Sequence, residues 1–599
     1  MNRTSFLTIL CVAGLLAVAM SCGPEKSTPD PELWKPDPAA LEQWREMRFG
    51  MFIHWGPVAL TGHEISWSRG RETPVEEYDQ LYKKFDPEKF DADAWARAAA
   101  DAGMKYVVLT TKHHDGFCLW PSKYTDYDIG ETPFGRDVVK ELSEACRRRG
   151  LKFGAYYSTC DWHHPDFPLG SPGGKSKKPN PNLDRYVKYL RNQVTELITN
   201  YGPLTTIWFD VPQEVGPKYG LPTLELIRRL QPDILVNNRI YRANIGEIPP
   251  NAPAHVGDYD TPEQFVGAFN RKRPWETCMT IGDQWSWKPN DRVKPLRVCL
   301  QSLIRSAGGD GNLLFNVGPK PDGEIEPAQV ERLRRMGEWL DEYGDSIYST
   351  RGGPFLPSGN LASTCRGNRI YLHLMNGLDG AMLPAIDAKI QQAVVLGGGD
   401  VKLEQGAEMI KVLVDPRAVQ QIDTIVAIEL DRPATGIAPV AVPYVKAAGA
   451  DAFYKPIDIS GATAEASGFL DARGRFTPEK AIDGDVTTQW RSSGDTTPSL
   501  AAGASVPAEH WITIDFGKQI TFPAVEINES WGRIQRYQLQ RRAGEGWVTI
   551  HEGKRLGSGA VVVFRPVTTN QIRLNVLESE GAPRISEIRV LGKVSAGAI

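Results

Sequence analysis

The chain has 599 residues, of which 41% are hydrophobic and 24% charged, with a formal net charge of -4. This composition is typical of globular domains and excludes disordered, collagen-like and coiled-coil proteins. The near balance of acidic and basic residues argues against a nucleic-acid binder, which would present a basic face. At roughly 150 residues per domain, the length predicts about four domains, or one large domain with smaller ones attached.

The first 22 residues are typical of an export signal. Arg3 supplies a positive start, and the apolar run over residues 6–19 is too short to span a bilayer comfortably. The run leads into Ala-Met-Ser-Cys, which resembles a bacterial lipoprotein signal lipidated at Cys22; a plain secretory signal is the alternative. We expect an exported protein in the periplasm or at the surface of a bacterium, attached to the membrane only through Cys22. Residues 23–40 are predicted to be a linker.

Short apolar strands alternate with amphipathic helices over residues 41–345. Strands that are apolar along their whole length and separated by helices predict a parallel sheet covered by helices. Seven strands favour a multidomain α/β protein whose catalytic part is a TIM-like (β/α)8 barrel, irregular because the eighth candidate, residues 254–259, fits poorly. The strands are predicted at residues 49–55, 106–114, 152–158, 205–210, 234–239, 275–281 and 312–319, and the helices at 91–103, 138–150, 183–200, 293–306 and 328–343.

Two β-rich segments follow the predicted barrel. Residues 346–445 hold short strands separated by Gly and Asp, which predicts a small antiparallel β domain. Residues 457–595 are a second all-β unit, in which the stretches AIDGDVTTQW and WITIDFG resemble the discoidin-like β-sandwich, the coagulation factor type C fold. That resemblance implies a structural calcium ion near residues 483–488. It leaves open whether this domain binds sugar.

Polar and aromatic residues end or follow most of the predicted barrel strands. In a TIM-like barrel, the carboxyl ends of the strands meet on one face and carry the active site. The pattern therefore predicts one pocket at that face. The residues at these ends are His54, His113, His114, Asp115, Tyr156, Tyr157, Ser158, Trp208, Phe209, Asp210, Asn237, Asn238, Arg239 and Trp285.

Asp210 is the sharpest candidate for chemistry, because it ends the apolar stretch TTIWFD. An unpaired carboxylate is costly to bury, so we expect Asp210 to be paired, metal-bound or catalytic. The alternative is a structural carboxylate that caps a helix or bonds to Arg239. The histidine pairs at 113–114 and 163–164 do not favour a metal, because adjacent strand residues point to opposite faces and the sequence has no HExxH spacing. We expect catalysis without a cofactor.

Five stretches in chain order, FGMFIHWG, YVVLTTKHHDGFCLW, YYSTCDW, WFD and PWETCMTI, resemble the α-L-fucosidases of glycoside hydrolase family 29. The resemblance spans about residues 40–345 and implies a retaining mechanism through a covalent glycosyl-enzyme, with Asp210 as the nucleophile. The chain departs from the family at Val211, where many members have glycine. The resemblance implies sugar contacts, one of them between Trp285 and the fucose methyl group, for His54, Glu64, Trp67, His113, His114, Tyr157, Trp208, Arg239 and Trp285.

The general acid/base is harder to identify, because its position varies within this family. The candidates are Asp258, Asp260, Glu263 and Glu276. Glu263, in the stretch GDYDTPE, matches the family's loop position best. Glu276, the runner-up, lies within an apolar strand and would otherwise be structural. A retaining glycosidase needs its two carboxyl groups about 5–5.5 Å apart.

The sequence thus predicts a retaining α-L-fucosidase that releases terminal L-fucose from fucosylated oligosaccharides or glycoproteins. The stretch GDQWSWKPND favours enzymes restricted to α-1,3 and α-1,4 linkages. Two alternatives stay open. One is a non-catalytic fucose-binding lectin at the cell surface, and the other is a retaining hydrolase for another sugar, such as an α-galactoside.

Overall fold

The computed structural model describes residues 30–172, 176–247, 249, 251–442, 445–446, 453–470, 474, 476–485, 488–493, 510–529, 532–556, 559–579 and 581–593. The predicted export signal and Cys22 lie outside these ranges. Within them, no helix combines the length and the apolar character needed to cross a membrane.

Seven parallel strands build the first part of the fold, and nearly all of their residues are buried. The spatial order is β5-β4-β3-β2-β1-β7-β6, which is the cyclic strand order of a TIM-like barrel that has edges at β5 and β6. Each predicted strand from the first to the seventh is present. They are β1 (Phe49–Ile53), β2 (Tyr106–Lys112), β3 (Lys152–Ser158), β4 (Thr206–Asp210), β5 (Leu235–Val236), β6 (Glu276–Thr280) and β7 (Asn312–Val317).

An irregular segment, rather than an eighth strand, bridges the two edge strands. Tyr259 forms a parallel bridge with Asn237, just after β5, and Asp260 forms one with Trp275, just before β6. The predicted eighth strand is therefore replaced by isolated bridges. Gly257 explains part of this irregularity, because its φ is +63° and a Cβ atom there would lie 2.1 Å from the carbonyl oxygen of Asn237.

Helices connect the parallel strands, and the five predicted ones are all present. Several begin at capping residues: the Asp91, Asp137 and Asn182 side chains accept hydrogen bonds from backbone N–H groups of the first turn, which otherwise lack partners. The helices are α1 (Pro38–Met47), α2 (Val75–Tyr78), α3 (Ala92–Asp101), α4 (Val138–Arg148), α5 (Leu183–Tyr201), α6 (Pro217–Leu230), α7 (Leu296–Gly308) and α8 (Pro327–Tyr343).

Two antiparallel sheets follow the barrel and share one apolar core. The strand orders are β12-β15-β10-β9-β8 and β11-β14-β13. The strands are β8 (Arg351–Gly352), β9 (Leu361–Arg366), β10 (Arg369–Met375), β11 (Gly380–Pro384), β12 (Ile390–Val395), β13 (Val401–Gln405), β14 (Met409–Val414) and β15 (Asp423–Leu430).

The C-terminal sheet has the order β16-β17-β24-β20-β23-β21-β22, with β18 on β20 and β19 on β24. Trp490 is fully buried in the core of this unit. The strands are β16 (Val445–Lys446), β17 (Phe453–Pro456), β18 (Thr463–Ala466), β19 (Trp490–Arg491), β20 (His510–Glu529), β21 (Ile534–Ala543), β22 (Gly546–Lys554), β23 (Ala560–Ser579) and β24 (Arg584–Lys593).

Part of the predicted calcium site, residues 486 and 487, lies outside the described residues. Both carboxylate oxygens of Asp483 accept hydrogen bonds from the Thr488 hydroxyl, and Lys480 Nζ lies 3.1 Å from Oδ2. Across the described ranges, no group of three or more His, Cys, Asp or Glu side chains is arranged to hold a metal ion.

A buried ion-pair network joins the barrel to the sheet that follows it. The fully buried carboxylate of Asp310 accepts hydrogen bonds from Arg48, Arg45 and Arg351, at 2.8, 2.7 and 2.7 Å, and from the backbone N–H of Gly352. Arg48 is also fully buried. Removing the negative charge would leave a buried cation uncompensated, which is far costlier than losing an exposed pair.

We therefore expect Asp310→Asn to lower the free energy of unfolding by about 3 kcal/mol, measured on the first transition in urea. The matched control is Asp345→Asn, because Asp345 pairs with Arg366 while 80% exposed; it should change stability by less than about 0.5 kcal/mol. Equal effects of the two substitutions would contradict the role of the Asp310 network.

Candidate active site

A cavity of about 410 Å³ lies at the carboxyl ends of the parallel strands. Nine of the predicted site residues line it: His54, Trp67, His113, His114, Trp208, Asp210, Arg239, Glu263 and Trp285. Six further residues complete the wall: Phe52, Tyr156, Val211, Pro212, Gln213 and Cys278. The strand-end pattern of the sequence therefore does converge on one pocket.

Asp210 ends β4 and is held by three donors. Arg239 Nη1 donates to Oδ1 at 2.8 Å, the Val211 backbone N–H donates to the same oxygen at 2.8 Å, and the Tyr156 hydroxyl donates to Oδ2 at 3.0 Å. Burial by itself would raise the pKa of Asp210, but the charge of Arg239, together with the neighbouring His114 and the hydrogen bonds from Arg239 and Val211, lowers that pKa below its usual value. Asp210 is therefore a carboxylate at neutral pH.

Arg239 connects the two candidate catalytic carboxylates. The same Nη1 atom that donates to Asp210 also donates to Glu263 Oε2 at 3.0 Å. The two acceptor oxygens therefore lie within about 6 Å of each other, which is compatible with the spacing in retaining glycosidases. The guanidinium is immobilised by two bonds to Thr261 and lies 4.8 Å from the centre of the Trp208 ring.

Glu263 lies on the irregular segment that bridges β5 and β6. A parallel bridge joins Glu263 to Cys278 of β6, and the N–H of Gln264 donates to the Cys278 carbonyl at 2.9 Å. Gln264 has a φ of +63°, in the left-handed region, so the segment departs from the extended conformation of a strand directly after Glu263. The Glu263 side chain is 43% exposed. It faces the cavity opening, where a leaving group would depart.

Three uncharged histidines line another wall of the cavity. Burial lowers the pKa of His54 to about 3 and that of His114 to about 4, and it places the pKa of His113 well below its usual value. At neutral pH these rings therefore act as hydrogen-bonding groups without a charge. Their Nδ1 atoms lie 2.6–2.8 Å from side-chain oxygens: His54 from Asn316, His113 from Ser66 and His114 from Ser158.

Aromatic rings complete the cavity. Trp208 and Tyr156 stack with their centres 5.5 Å apart, and Trp285 lies 4.8 Å from the His54 ring. Glu64 anchors Trp285, because the Glu64 carboxylate accepts a hydrogen bond from the backbone N–H of Trp285 at 2.9 Å. These rings offer the flat apolar surfaces on which the apolar faces of sugars and methyl groups pack.

Two predicted sugar ligands do not reach the cavity. Tyr157 lies on the opposite face of β3, where its hydroxyl donates to Gln193 at 2.8 Å; Tyr156 takes its place at the cavity. The Glu64 carboxylate is directed to the backbone N–H groups of Ile65, Trp285 and Ser286. Strand alternation accounts for the first difference, because neighbouring residues of a strand face opposite sides.

The other candidate acids also lie outside the cavity wall. Glu276 is fully buried beneath it and accepts hydrogen bonds from Trp208 Nε1, at 3.0 Å, and from the Tyr106 hydroxyl. Burial raises the pKa of Glu276 to about 7. Asp258 pairs with Arg228 and Asp260 with Arg273. The ion pairs with these arginines therefore explain Asp258 and Asp260 as structural carboxylates.

Sequence reasoning missed Asn316, and it named Ser158 only as a strand-end residue, without its role behind His114. Asn316 and Ser158 contact the histidines and do not line the cavity. Pro212 and Gln213 line it but follow a strand end without any chemical signature. Asn316 belongs to a strand that was predicted, so its position near the carboxyl end of β7 was the available signal.

An ionised carboxylate facing a second carboxyl group, uncharged imidazoles and aromatic rings at this end of a TIM-like sheet define the active site of a glycoside hydrolase. A family model described as alpha-L-fucosidase matches residues 18–345, and one described as F5/8 type C domain, the discoidin-like fold, matches residues 462–590. The chain belongs to the α-L-fucosidase family of glycoside hydrolases, family 29. Both resemblances found in the sequence are confirmed.

Individual relatives agree with this assignment. The plasma alpha-L-fucosidase of Homo sapiens is 31% identical over 349 residues, which cover 54% of this chain and 72% of that protein. The structure of alpha-L-fucosidase isoenzyme 1 from Paenibacillus thiaminolyticus aligns with a TM-score of 0.59 and 33% identity, over 65% of this chain and all of that one. A family 29 fucosidase from Bacteroides thetaiotaomicron, a covalent intermediate trapped with a Glu→Gln mutant, aligns with a TM-score of 0.59 and 26% identity, over 66% and 97%.

The adjacent tyrosines of β3 allow a matched test of the cavity. Tyr156→Phe removes the hydroxyl that donates to Asp210. A hydrogen bond to a charged group is worth about 1.5–3 kcal/mol, so we expect kcat/KM for an aryl α-L-fucoside to fall by roughly 10- to 100-fold. Steady-state kinetics on the folded variant measure this.

The control is Tyr157→Phe, which deletes a hydroxyl on the other face of the same strand. Its kcat/KM should stay within about twofold of the parent, since no contact of the cavity changes. A loss with Tyr157→Phe, together with unchanged activity of Tyr156→Phe, would show that the prediction from the sequence was right and this placement wrong.

Proposed function

We propose that this protein is a retaining α-L-fucosidase that releases terminal L-fucose from fucosylated oligosaccharides or glycoproteins by double displacement. Asp210 is the nucleophile and Glu263 the general acid/base. One observation carries the proposal: a single nitrogen of Arg239 contacts both carboxylates across a cavity at the carboxyl ends of the barrel strands. The reaction needs no cofactor.

Asp210 has the properties that a nucleophile requires. Its pKa is lowered by Arg239, so it is ionised, and its oxygens are fixed by Tyr156 and Val211. A fixed carboxylate pays little to reach the anomeric carbon of a bound sugar. The trapped covalent intermediate of the Bacteroides relative supports a glycosyl-enzyme in this chain too.

Glu263 is favoured over Glu276 by access. Glu263 lines the cavity and is partly exposed, so it can pass a proton to the leaving group and then accept one from water. Glu276 is fully buried, and its oxygens are bound to Trp208 and Tyr106. We assign Glu276 to the positioning of the Trp208 ring.

The remaining lining residues supply sugar recognition in this proposal. The neutral His54, His113 and His114 bind hydroxyl groups, and Trp285 packs against the fucose methyl group. Trp67, Trp208 and Arg239 also line the cavity. The contact with Trp285 is what distinguishes fucose from an α-galactoside, whose hydroxymethyl group would meet the ring; an apolar pocket rejects such an added hydroxyl less strongly than a hydroxyl-binding site rejects a missing one.

Replacing the nucleophile tests the mechanism directly. Asp210→Gly should reduce hydrolysis of an aryl α-L-fucoside by at least about 10⁴-fold, because no covalent intermediate forms. Added azide should restore release of the aryl group and yield β-L-fucosyl azide, since the small anion occupies the vacated space. Substantial residual hydrolysis, or an α-azide, would exclude Asp210 as the nucleophile.

Replacing the acid/base should give an effect that depends on the leaving group. Glu263→Ala should lose at least about 100-fold more activity on a natural fucosylated oligosaccharide than on an activated aryl fucoside, because only the poor leaving group needs a proton. Glu276→Gln is the comparison, and it should affect both substrates alike. If Glu276→Gln shows the selective loss instead, the assignment of the acid/base is wrong.

A lectin is the second candidate function, and the ionised Asp210 beside Glu263 favours the enzyme. If the parent protein binds L-fucose but releases no aryl group from an aryl α-L-fucoside, it is a lectin instead.

For the enzyme, we propose selectivity for α-1,3 and α-1,4 linkages on the basis of the GDQWSWKPND stretch. A panel of fucosylated oligosaccharides of defined linkage decides this point.

We also propose that the chain is exported by a bacterium and lipidated at Cys22, which becomes the first residue once the signal before it is removed. The supporting observation is the apolar run over residues 6–19 that leads into this cysteine. Incorporation of labelled fatty acid into the parent, but not into Cys22→Ala, would test it. The proposed domains are a linker at 23–40, a catalytic barrel at 41–345, a small β domain at 346–445 and a discoidin-like sandwich at 457–595.

A further inference from the structure

The side chain of Asn316 fixes which nitrogen of His54 carries its proton. Asn316 is 1% exposed, and its Nδ2 donates to the carbonyl oxygen of Trp285 at 2.7 Å. This leaves Oδ1 facing His54 Nδ1 at 2.6 Å. The reversed amide would place its oxygen against the Trp285 carbonyl, which also can only accept. Because Oδ1 must accept, Nδ1 of His54 is the protonated nitrogen.

Ser158 has the same effect on His114. The Ser158 hydroxyl donates its single proton to the carbonyl oxygen of Cys160 at 2.7 Å, and its oxygen accepts the Cys160 N–H at 3.1 Å. His114 Nδ1 lies 2.8 Å from the same hydroxyl oxygen. With no second proton on the hydroxyl, His114 must be the donor. Its Nδ1 therefore carries the ring proton as well.

Both rings are neutral, so each carries one proton only. Burial holds the pKa of His54 at about 3 and that of His114 at about 4. In each ring Nε2 is therefore left with a lone pair, and both rings line the cavity. His114 Nε2 lies 3.8 Å from Asp210 Oδ2, which is too long for a hydrogen bond.

We propose that Asn316 and Ser158 are positioning residues that hold His54 and His114 as hydrogen-bond acceptors toward the substrate. Each histidine then requires an O–H donor from the bound sugar. This rests on the proposed function, in which the cavity holds a terminal fucosyl unit. The proposal fixes the direction of two hydrogen bonds to the sugar, because two of its ring hydroxyls must donate to the histidines. Sugars in which hydrogen, fluorine or a methoxy group replaces either hydroxyl should therefore bind weakly.

The proton positions can be observed without any substrate. In protein labelled with ¹⁵N at its ten histidines, the ¹⁵N chemical shifts at pH 7 distinguish a protonated Nδ1 from a protonated Nε2. His54→Gln and His114→Gln assign the two signals. We expect a protonated Nδ1 and an unprotonated Nε2 in both residues. A protonated Nε2 in either ring would overturn the proposal for that residue.

Binding of sugar analogues tests the consequence. Calorimetry would compare the affinity of the protein for L-fucose with its affinity for the 2-, 3- and 4-deoxy and deoxyfluoro derivatives. Because affinity is measured and not rate, the electronic effect of fluorine on the rate does not enter. At two positions the deoxy and the fluoro analogue should both lose at least about tenfold in affinity, because fluorine cannot donate. Fluoro analogues that bind like L-fucose at all three positions would contradict acceptor histidines. No binding of L-fucose at all would defeat the proposed function and leave the ¹⁵N result intact.

Variants link each positioning residue to one hydroxyl. Ser158→Ala should weaken binding of L-fucose, and Ser158→Thr, which keeps the hydroxyl, should restore it. For the one deoxy sugar that lacks the hydroxyl bound by His114, Ser158→Ala should cause no further loss of affinity, since effects on a shared interaction are not additive. An equal loss for every analogue would indicate a merely structural role.

Asn316→Asp provides the corresponding test for His54. A carboxylate next to Nδ1 stabilises the imidazolium and raises the pKa of His54. As the pH falls through that raised pKa, His54 becomes a donor, so the preference for a hydroxyl over fluorine at its position should weaken. The parent should show no such change down to pH 5. A pH-independent preference in Asn316→Asp would contradict the coupling.

Discussion

The contact of one Arg239 nitrogen with two carboxylates is the constraint on which the active site depends. Burial by itself would favour the protonated form of Asp210. The charge of Arg239 opposes this effect and helps to keep Asp210 ionised. The stack on Trp208 and the bonds to Thr261 hold the guanidinium still, so the charge stays where the chemistry needs it.

The irregular closure of the barrel serves the same contact. Thr261, which holds Arg239, and Glu263 both lie on the segment that replaces an eighth strand between β5 and β6. In a regular strand these two residues would be tied to the fixed pleat of the sheet. Isolated bridges, followed by the left-handed Gln264, let the chain anchor the guanidinium and still present Glu263 at the cavity opening.

The sequence predicted the barrel strands and most of the pocket, because both follow from strong local patterns. Continuous apolar runs mark buried parallel strands, and a polar residue such as Asp210 at the end of such a run stands out. The choice between Tyr156 and Tyr157 needed the pleat register, which adjacent tyrosines do not reveal. Glu64 required the fold of a loop. Its carboxylate binds the backbone of the Trp285 loop, a contact between residues about 220 positions apart.

The supporting residues were hidden for a related reason. Asn316 and Ser158 act through hydrogen-bond directions, and neither direction follows from residue type or spacing. An asparagine inside an apolar strand is a visible anomaly, because a buried amide must find partners. The identity of those partners, His54 on one side and the Trp285 carbonyl on the other, is decided only when three separate parts of the chain meet.

Val211 shows how the site accommodates a conformation that its residue type opposes. Its φ is +51°, in the left-handed region, which is an outlier for a β-branched side chain and costs on the order of 1–3 kcal/mol. Glycine would adopt it freely. The Thr159 hydroxyl donates to the carbonyl oxygens of Asp210 and Val211, and the Thr159 N–H also donates to that of Asp210. These bonds offset the strain. The same turn supplies the Val211 N–H that donates to Asp210 Oδ1, so the backbone after β4 helps to hold the nucleophile.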